Sequence, residues 1–555
     1  MVGLTRRERE VLVELCRPLL EQANFHEPAA TRDIAKKLFV SEAAVKQHLL
    51  RMYDKLEVPE DGGNRRLALA NVAFERGILT SADVGGEAAP VIATPVPSDN
   101  ALVEGRAAFK RRAWEVAYTR LADADAAGLL VEAPDLAALG EAALWTARPA
   151  ESVAARQRAF ALFVDADQRD AAARVAADLF INFIVRGKFA CGGGWLAKAR
   201  RLVEGRSDSS ALGYVAAMEA LGLIAVGKLD DGAACATTAM QAGARHHDQD
   251  SFTLGQAFMA CVLVRRGQTE EAMKLFDEAM ATATSGELSA LATGVVYCRT
   301  LCSCLDQMDY RRAHEWTDTI DQSRGGTGLP GDCRAHFASV LAATGNWTRA
   351  EAEAKTACVV AMRFDFGHVG LAEYELGVLS LRKGDTAAAE AAFKRAHELG
   401  ALAEPGLSLL RLARGDTAAA LASIDSACAS TPSDPLSRAR LLPAKIEISL
   451  AAGDLDGARV AATELDAIAL RVPTLAGAAT HASGLVAAAS GAHADAIAQL
   501  RQSCRHWLDA GMPFEAARAR RDLANTLAAS GDHAGSALER QVARDAFERL
   551  GLTER

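Results

Sequence analysis

A turn signal that returns at a nearly fixed interval constrains this chain more than any other feature. Helical stretches end at a Gly followed by polar residues, with a small residue five positions on. The copies are GKLDDG at 227–232, GQTEEA at 267–272, GNWTRA at 345–350, GDTAAA at 384–389 and again at 415–420, GDLDGA at 453–458, GAHADA at 491–496 and GDHAGS at 531–536. Weaker copies begin at Ala147, Gly187 and Met308. The eleven anchors are separated by 40, 40, 40, 41, 37, 39, 31, 38, 38 and 40 residues. A Gly ends a helix in the left-handed conformation at little cost because it has no Cβ. The polar residues after it cap the next helix, and the small residue lets the two helices approach. One such hairpin cannot bury its apolar face, so neighbours must stack. The pattern predicts an all-α solenoid of about eleven helical hairpins over residues 104–555.

The period exceeds the 34 residues of a standard tetratricopeptide repeat, but the order of helix, Gly, helix and Ala resembles that family. The last helix, over 536–550, reads as a polar end cap. Composition fits: half the residues are apolar, 24% are charged and only 5% are aromatic, which favours helices packed through small residues and excludes a mostly disordered chain. A net charge of −9 excludes a uniformly basic nucleic-acid coat but not a small DNA-binding module. Eleven scattered cysteines form no spacing framework, and MVGLTRRERE has no apolar signal core. The expected setting is reducing, cytoplasmic and nucleoid-associated. The most apolar stretch, 211–226, contains Glu219 and is shorter than the roughly 20 residues a membrane span needs.

Residues 81–103 read as a linker containing Pro and Gly, with Pro90, Pro95 and Pro97 interrupting any helix. Residues 1–80 differ from the rest, with 13 Lys and Arg against 12 Asp and Glu. TRRE at 5–8 is a capping box opening a helix through Val11, Leu12 and Leu15. A second short helix covers 31–38. Ser41 then caps a helix over 42–56, and a fourth helix covers about 65–77. Two short helices joined by a tight turn predict a helix-turn-helix. At 100° per residue, Val45, Leu49, Met52 and Leu56 form one stripe about 60° wide. Ala43, Lys46, Gln47, Leu50, Arg51 and Asp54 fall on the other face. That face suits entry into a major groove: Lys46 reaches phosphate or guanine, Gln47 pairs with adenine, and Leu50 touches a thymine methyl. His48, Arg51, Lys55 and Arg65 are placed for phosphates.

The segments LTRREREVL (4–12), DIAKKLFVSEAAVKQHL (33–49) and YDKLEV (53–58) resemble the LuxR-type helix-turn-helix of bacterial transcription regulators, over residues 4–78. The resemblance implies that Lys46, Gln47 and Leu50 face bases. It also implies a homodimer on double-stranded DNA, with a dimer contact on the fourth helix through Leu67, Ala70 and Asn71. Ala44 departs from the family's usual Thr, the stretch 19–30 is longer than usual, and the domain lies at the N-terminal rather than the C-terminal end. The whole arrangement resembles actinobacterial-looking regulators that join such a domain to tetratricopeptide repeats.

No catalytic constellation, cofactor site or metal site is expected. GLIAVGK at 222–228 matches a phosphate loop, but Leu229 replaces the Ser or Thr that would hold Mg²⁺. GTGLPG at 326–331 has no βαβ unit around it. In CRTLCSC, Cys298 and Cys302 share a helix face, Cys304 does not, and no His stands near them in sequence. The expected function is sequence-specific transcription regulation, with the array sensing a peptide or protein in its groove or mediating assembly. The alternative is a non-catalytic scaffold whose N-terminal domain tethers it weakly or non-specifically to DNA.

Overall fold

The computed structural model describes residues 5–16, 31–38, 40–56, 58, 69–70, 72–73, 78–79, 99–324, 331–363, 369–431 and 435–552. The chain divides into two compact units, Met1–Ser98 and Asp99–Arg555. No strand occurs among the described residues. No helix among them is long and apolar enough to cross a membrane.

The first unit contains the helices Arg6–Cys16, Thr31–Lys37 and Glu42–Lys55, and residues 69, 70, 72 and 73 are also helical. The capping box forms as its spacing requires. The Thr5 amide donates to Glu8 Oε2 at 2.7 Å, and the Glu8 amide donates to Thr5 Oγ1 at 3.3 Å. The core joins Val11, Leu12 and Leu15 to Ile34 and to the stripe Val45, Leu49, Met52 and Leu56, all buried. The Arg7 guanidinium donates to the Leu38 carbonyl at 3.0 Å and so ties the first helix to the end of the second.

The second unit is a stack of twelve helical hairpins among the described residues, from Asp99–Lys110 with Trp114–Ala126 to Pro513–Ala529 with His533–Arg549. All eleven anchors adopt the left-handed conformation, with φ between 56° and 91°, including Ala147 and Met308. Where Asp follows the Gly, it caps the next helix. Asp385, Asp416, Asp454 and Asp532 accept from the backbone amides of Ala388, Ala419, Gly457 and Gly535 at 2.8–3.1 Å. The small residue five positions on is buried in each case: Ala389, Ala420 and Ala458 are fully covered.

The structure corrects the expected boundaries in two ways. The array has one hairpin more than expected, because the first turns at Arg112, whose φ is 57° and which carries no Gly signal. Its first helix begins at Asp99, inside the segment expected to be linker. The motif at 222–228 lies on the helix Leu212–Ala225 and the turn after it, and residues 326–330 of the second glycine motif lie outside the described residues.

The array coils tightly enough that successive turns of the superhelix touch. Arg112 donates to the Leu288 carbonyl at 2.6 Å, and Thr269 Oγ1 donates to the Arg471 carbonyl at 3.5 Å. Arg382 reaches Glu515 at 3.4 Å, and the rings of Trp347 and Phe514 lie 5.5 Å apart. These pairs are separated by 133–202 residues, three to five hairpins along the chain. One buried core consequently runs from Ala173 to Ala519. The expected polar end cap takes part: Leu550 and Pro513 close on Gly345.

Gly345 and Gly491 occupy equivalent turns, but only Gly345 has neighbours. A Cβ at Gly345 would meet Leu550 Cδ2 at 2.8 Å and Pro513 Cγ at 2.9 Å, whereas one at Gly491 would meet nothing. Gly491→Ala should therefore cost about 1–2 kcal/mol of backbone strain. Gly345→Ala should add a further ~1–3 kcal/mol of overpacking and speed amide exchange in 513–549. Equal losses in denaturant melts of the two variants would contradict the closing contact.

Candidate functional site

On the helix Glu42–Lys55 the apolar stripe faces the core, so the remaining residues face outwards. Ser41 caps the helix, accepting from the Ala44 amide at 3.2 Å. Ser41, Ala43, Lys46, Gln47 and Arg51 are exposed, and Leu50 is 53% exposed, which is unusual for a side chain of its size. The structure thus brings together the cationic, amide and apolar groups expected on one helix face.

Three expectations change. Lys55 is not a surface cation awaiting phosphate: its ammonium donates to both oxygens of Glu8, at 2.8 and 3.0 Å, and Glu8 is almost fully buried. Burial alone would push the Glu8 carboxyl up. Lys55 and the Thr5 amide and hydroxyl outweigh it and hold the group below its ordinary 4.5. His48 is half-buried, and its Nδ1 is enclosed without a hydrogen-bond partner, a poor posture for a phosphate contact. Ala70 is fully buried in its own core and is unavailable to a second subunit. Arg65, Leu67 and Asn71 lie outside the described residues.

The second site has no sequence motif. Contact between superhelical turns frames a partly open cavity of about 960 Å³. Its walls are the first helices of successive hairpins. Ala290–Asp306, Gly331–Ala343 and Val369–Arg382 stand on one side, and Pro435–Ala451, Ala476–Ala489 and Pro513–Ala529 on the other. Most of its charges are paired, and one pair, Arg382 with Glu515, crosses between the two sides. Arg518 reaches Glu447 at 2.6 Å and Glu515 at 3.2 Å, Arg382 reaches Glu515, and His481 Nε2 lies 2.9 Å from Asp522. Burial pushes Glu515 up, but Arg518 and Arg382 outweigh it and keep the carboxyl below its ordinary range. Burial dominates at Glu375 and raises it, despite Ser339 and Arg440.

Two cavity groups are poorly satisfied. Arg440 lies 3.6 Å from Asp306, too far for a hydrogen bond, and half of its side chain remains accessible. Trp507 is 4% exposed, and its indole N–H has no partner. Leaving the buried Trp507 donor unmet costs about 1–3 kcal/mol, and the half-accessible Arg440 guanidinium can still take a charged partner, so both groups favour an occupant that brings acceptors. The fold also supplies what CRTLCSC lacked in sequence: His336, from the next hairpin, places its Nε2 3.5 Å from Cys302 Sγ.

No family model matches this chain, and no curated protein matches it. It is similar to solved helical-repeat structures. The APC/C hetero-tetramer Cut9–Hcn1 is 12% identical, with 81% of this chain and 97% of that one covered and a TM-score of 0.31. Yeast Tom70 is 13% identical, with 80% and 91% covered and a TM-score of 0.30. A signal-transduction ATPase with a tetratricopeptide repeat sensor, from Pyrococcus horikoshii, is 14% identical, with 71% and 63% covered and a TM-score of 0.30. None of these matches assigns a partner to this chain.

Lys55→Ala strands the buried Glu8 carboxylate and should destabilise the first unit by about 1–3 kcal/mol. Amide exchange across the helix Arg6–Cys16 should quicken; unchanged protection would return Lys55 to the surface. The lowered Glu8 value also sets a pH window. Its stabilisation is complete above the unfolded value near 4.5 and is lost as pH falls through the lower folded value.

Proposed function

We propose that this chain is a non-catalytic recognition protein whose repeat array holds an extended peptide segment of a partner in its partly open cavity. One observation carries the reading: the cavity combines aromatic and aliphatic walls with a half-accessible guanidinium, Arg440, and an unmet donor, Trp507 Nε1. A peptide supplies both missing acceptors, a carboxylate for Arg440 and a backbone carbonyl for the indole. Its side chains then cover apolar wall such as Leu409 and Phe514. Catalysis has no support in this arrangement, where the carboxylates are chiefly committed to ion pairs.

Selection of displayed random peptides on the intact chain tests this. Enriched peptides should carry an acidic residue. Arg440→Ala should weaken them by about 1.5–3 kcal/mol, the range for hydrogen bonds to charged groups. Trp507→Phe, which keeps a ring but removes the donor, should cost about 1 kcal/mol. Enrichment of no peptide by a folded chain, or binding that ignores both substitutions, would end the reading.

The first unit carries a second reading, because Lys46, Gln47, Leu50 and Arg51 stand exposed on a helix whose opposite face is core. We read this as a recognition helix that enters the major groove of double-stranded DNA, with Ser41 and Ala43 at its leading end. This fits the resemblance to LuxR-type domains and would make the protein a DNA-binding regulator that senses its partner through the array. A homodimer would read two half-sites about one helical turn apart. In selection from a random DNA pool, Lys46→Ala and Gln47→Ala should each cost about 1–3 kcal/mol of specific binding. Arg51→Ala should weaken all sequences alike. Uniformly weak binding, indifferent to Lys46, would leave an array protein with a tethering domain.

A further inference from the structure

The helix Ala290–Asp306 carries Cys298 and Cys302 four residues apart, and therefore on one face. The helix Gly331–Ala343 packs beside it and brings in His336. One ligand atom from each of the three residues lies within 4.8 Å of the other two. All three side chains are partly accessible, and Cys302 and His336 line the cavity. Cys304, the third thiol of the same run, is fully buried elsewhere, and burial pushes its thiol far up.

We infer that Cys298, Cys302 and His336 bind one zinc-type divalent cation at the wall of the cavity. Donor chemistry comes first. Two thiolates and an imidazole select zinc and its softer neighbours over magnesium or calcium, which take oxygen ligands. Geometry agrees. A tetrahedral centre with Zn–S of about 2.3 Å and Zn–N of about 2.0–2.1 Å has an S···N edge of about 3.6 Å. Cys302 Sγ and His336 Nε2 already stand 3.5 Å apart, so no backbone movement is required to close that edge. Charge agrees too. Two thiolates neutralise the cation, and the Arg299 Nη2, 3.5 Å from Cys298 Sγ, faces a sulfur that keeps partial negative charge.

Placement decides the coordination class. Three protein ligands on a cavity wall leave the fourth position towards the cavity, the pattern of an open rather than a closed structural centre. The cavity is also the entry path. Binding displaces the two thiol protons to solvent, so affinity rises with pH. The site stands on its own ligands and does not depend on a peptide entering the cavity.

The test uses the full chain, reduced and stripped with a chelator, then titrated with Co²⁺ as the probe. One equivalent should produce intense thiolate-to-cobalt charge-transfer absorption and the visible bands of a tetrahedral centre, both erased by Zn²⁺. Zn²⁺ should also raise the melting temperature of the stripped chain. His336→Ala should weaken the affinity at least about 10-fold, a loss that even outer-shell changes commonly reach. The double variant Cys298→Ser/Cys302→Ser should lose the charge-transfer bands, and substitution of the exposed Cys191 should leave the titration unchanged. Absence of charge-transfer bands in the unsubstituted chain overturns the proposal without reference to any variant's folding, leaving a hydrogen-bonded thiol–imidazole cluster. Cobalt bands that persist in the double variant overturn it as well.

Discussion

Everything in the larger unit depends on a backbone that reverses within one residue at the end of each hairpin's first helix. That residue is left-handed in every case, and the tightness of the reversal lets a small side chain press the second helix against the first. Short turns and small contacts keep each hairpin slim. Slim hairpins stack with enough rotation that the array meets itself after three to five of them, rather than forming a wide open spiral. The core continuous from Ala173 to Ala519 is the consequence. Neighbour-to-neighbour stacking alone would give a quasi-one-dimensional stability; contact between turns adds long-range terms that couple distant hairpins.

The repeat was legible because its physics is local. Gly at the reversal, Asp at the cap and Ala at the crossing each act within six residues, so the motif writes itself into the sequence at every turn. The hairpin at Arg112 escaped for the same reason: surrounding packing holds a long cationic residue at a φ of 57° that its own side chain does not favour. In the first unit, the stripe Val45, Leu49, Met52 and Leu56 and the Thr5–Glu8 box were legible from helical periodicity. The Lys55–Glu8 pair was not, because it joins positions 47 apart across two helices. Helical periodicity says which face Lys55 occupies but not what stands opposite.

The cavity was invisible in sequence for a related reason. Its walls come from residues spread between Cys302 and Leu552, and only the coiling of the array brings the facing helices together. In the structure these walls are chiefly the first helices of their hairpins. The charges among their inward residues could be taken for solvated surface until the coil closes over them. Closure pairs Arg382 with Glu515, 133 residues further along the chain. His336 belongs to the same class: it stands 34 residues from Cys302 in sequence and within contact of it in space.

This arrangement has a mechanical consequence. Any occupant of the cavity touches the middle hairpins on one wall and the last three on the other, so its binding energy depends on how closely the turns approach. It must favour the closed coil by the difference between its affinities for the closed and the loosened forms, and closure must raise its affinity by the same factor. The ion pair between Arg382 and Glu515, the 3.6 Å approach of Arg440 to Asp306 and the seat of Leu550 on Gly345 lie on this same seam. Recognition in the cavity and cohesion of the superhelix are therefore two readouts of one equilibrium. A ligand that filled the cavity while leaving the seam no tighter would have to bind through one wall alone.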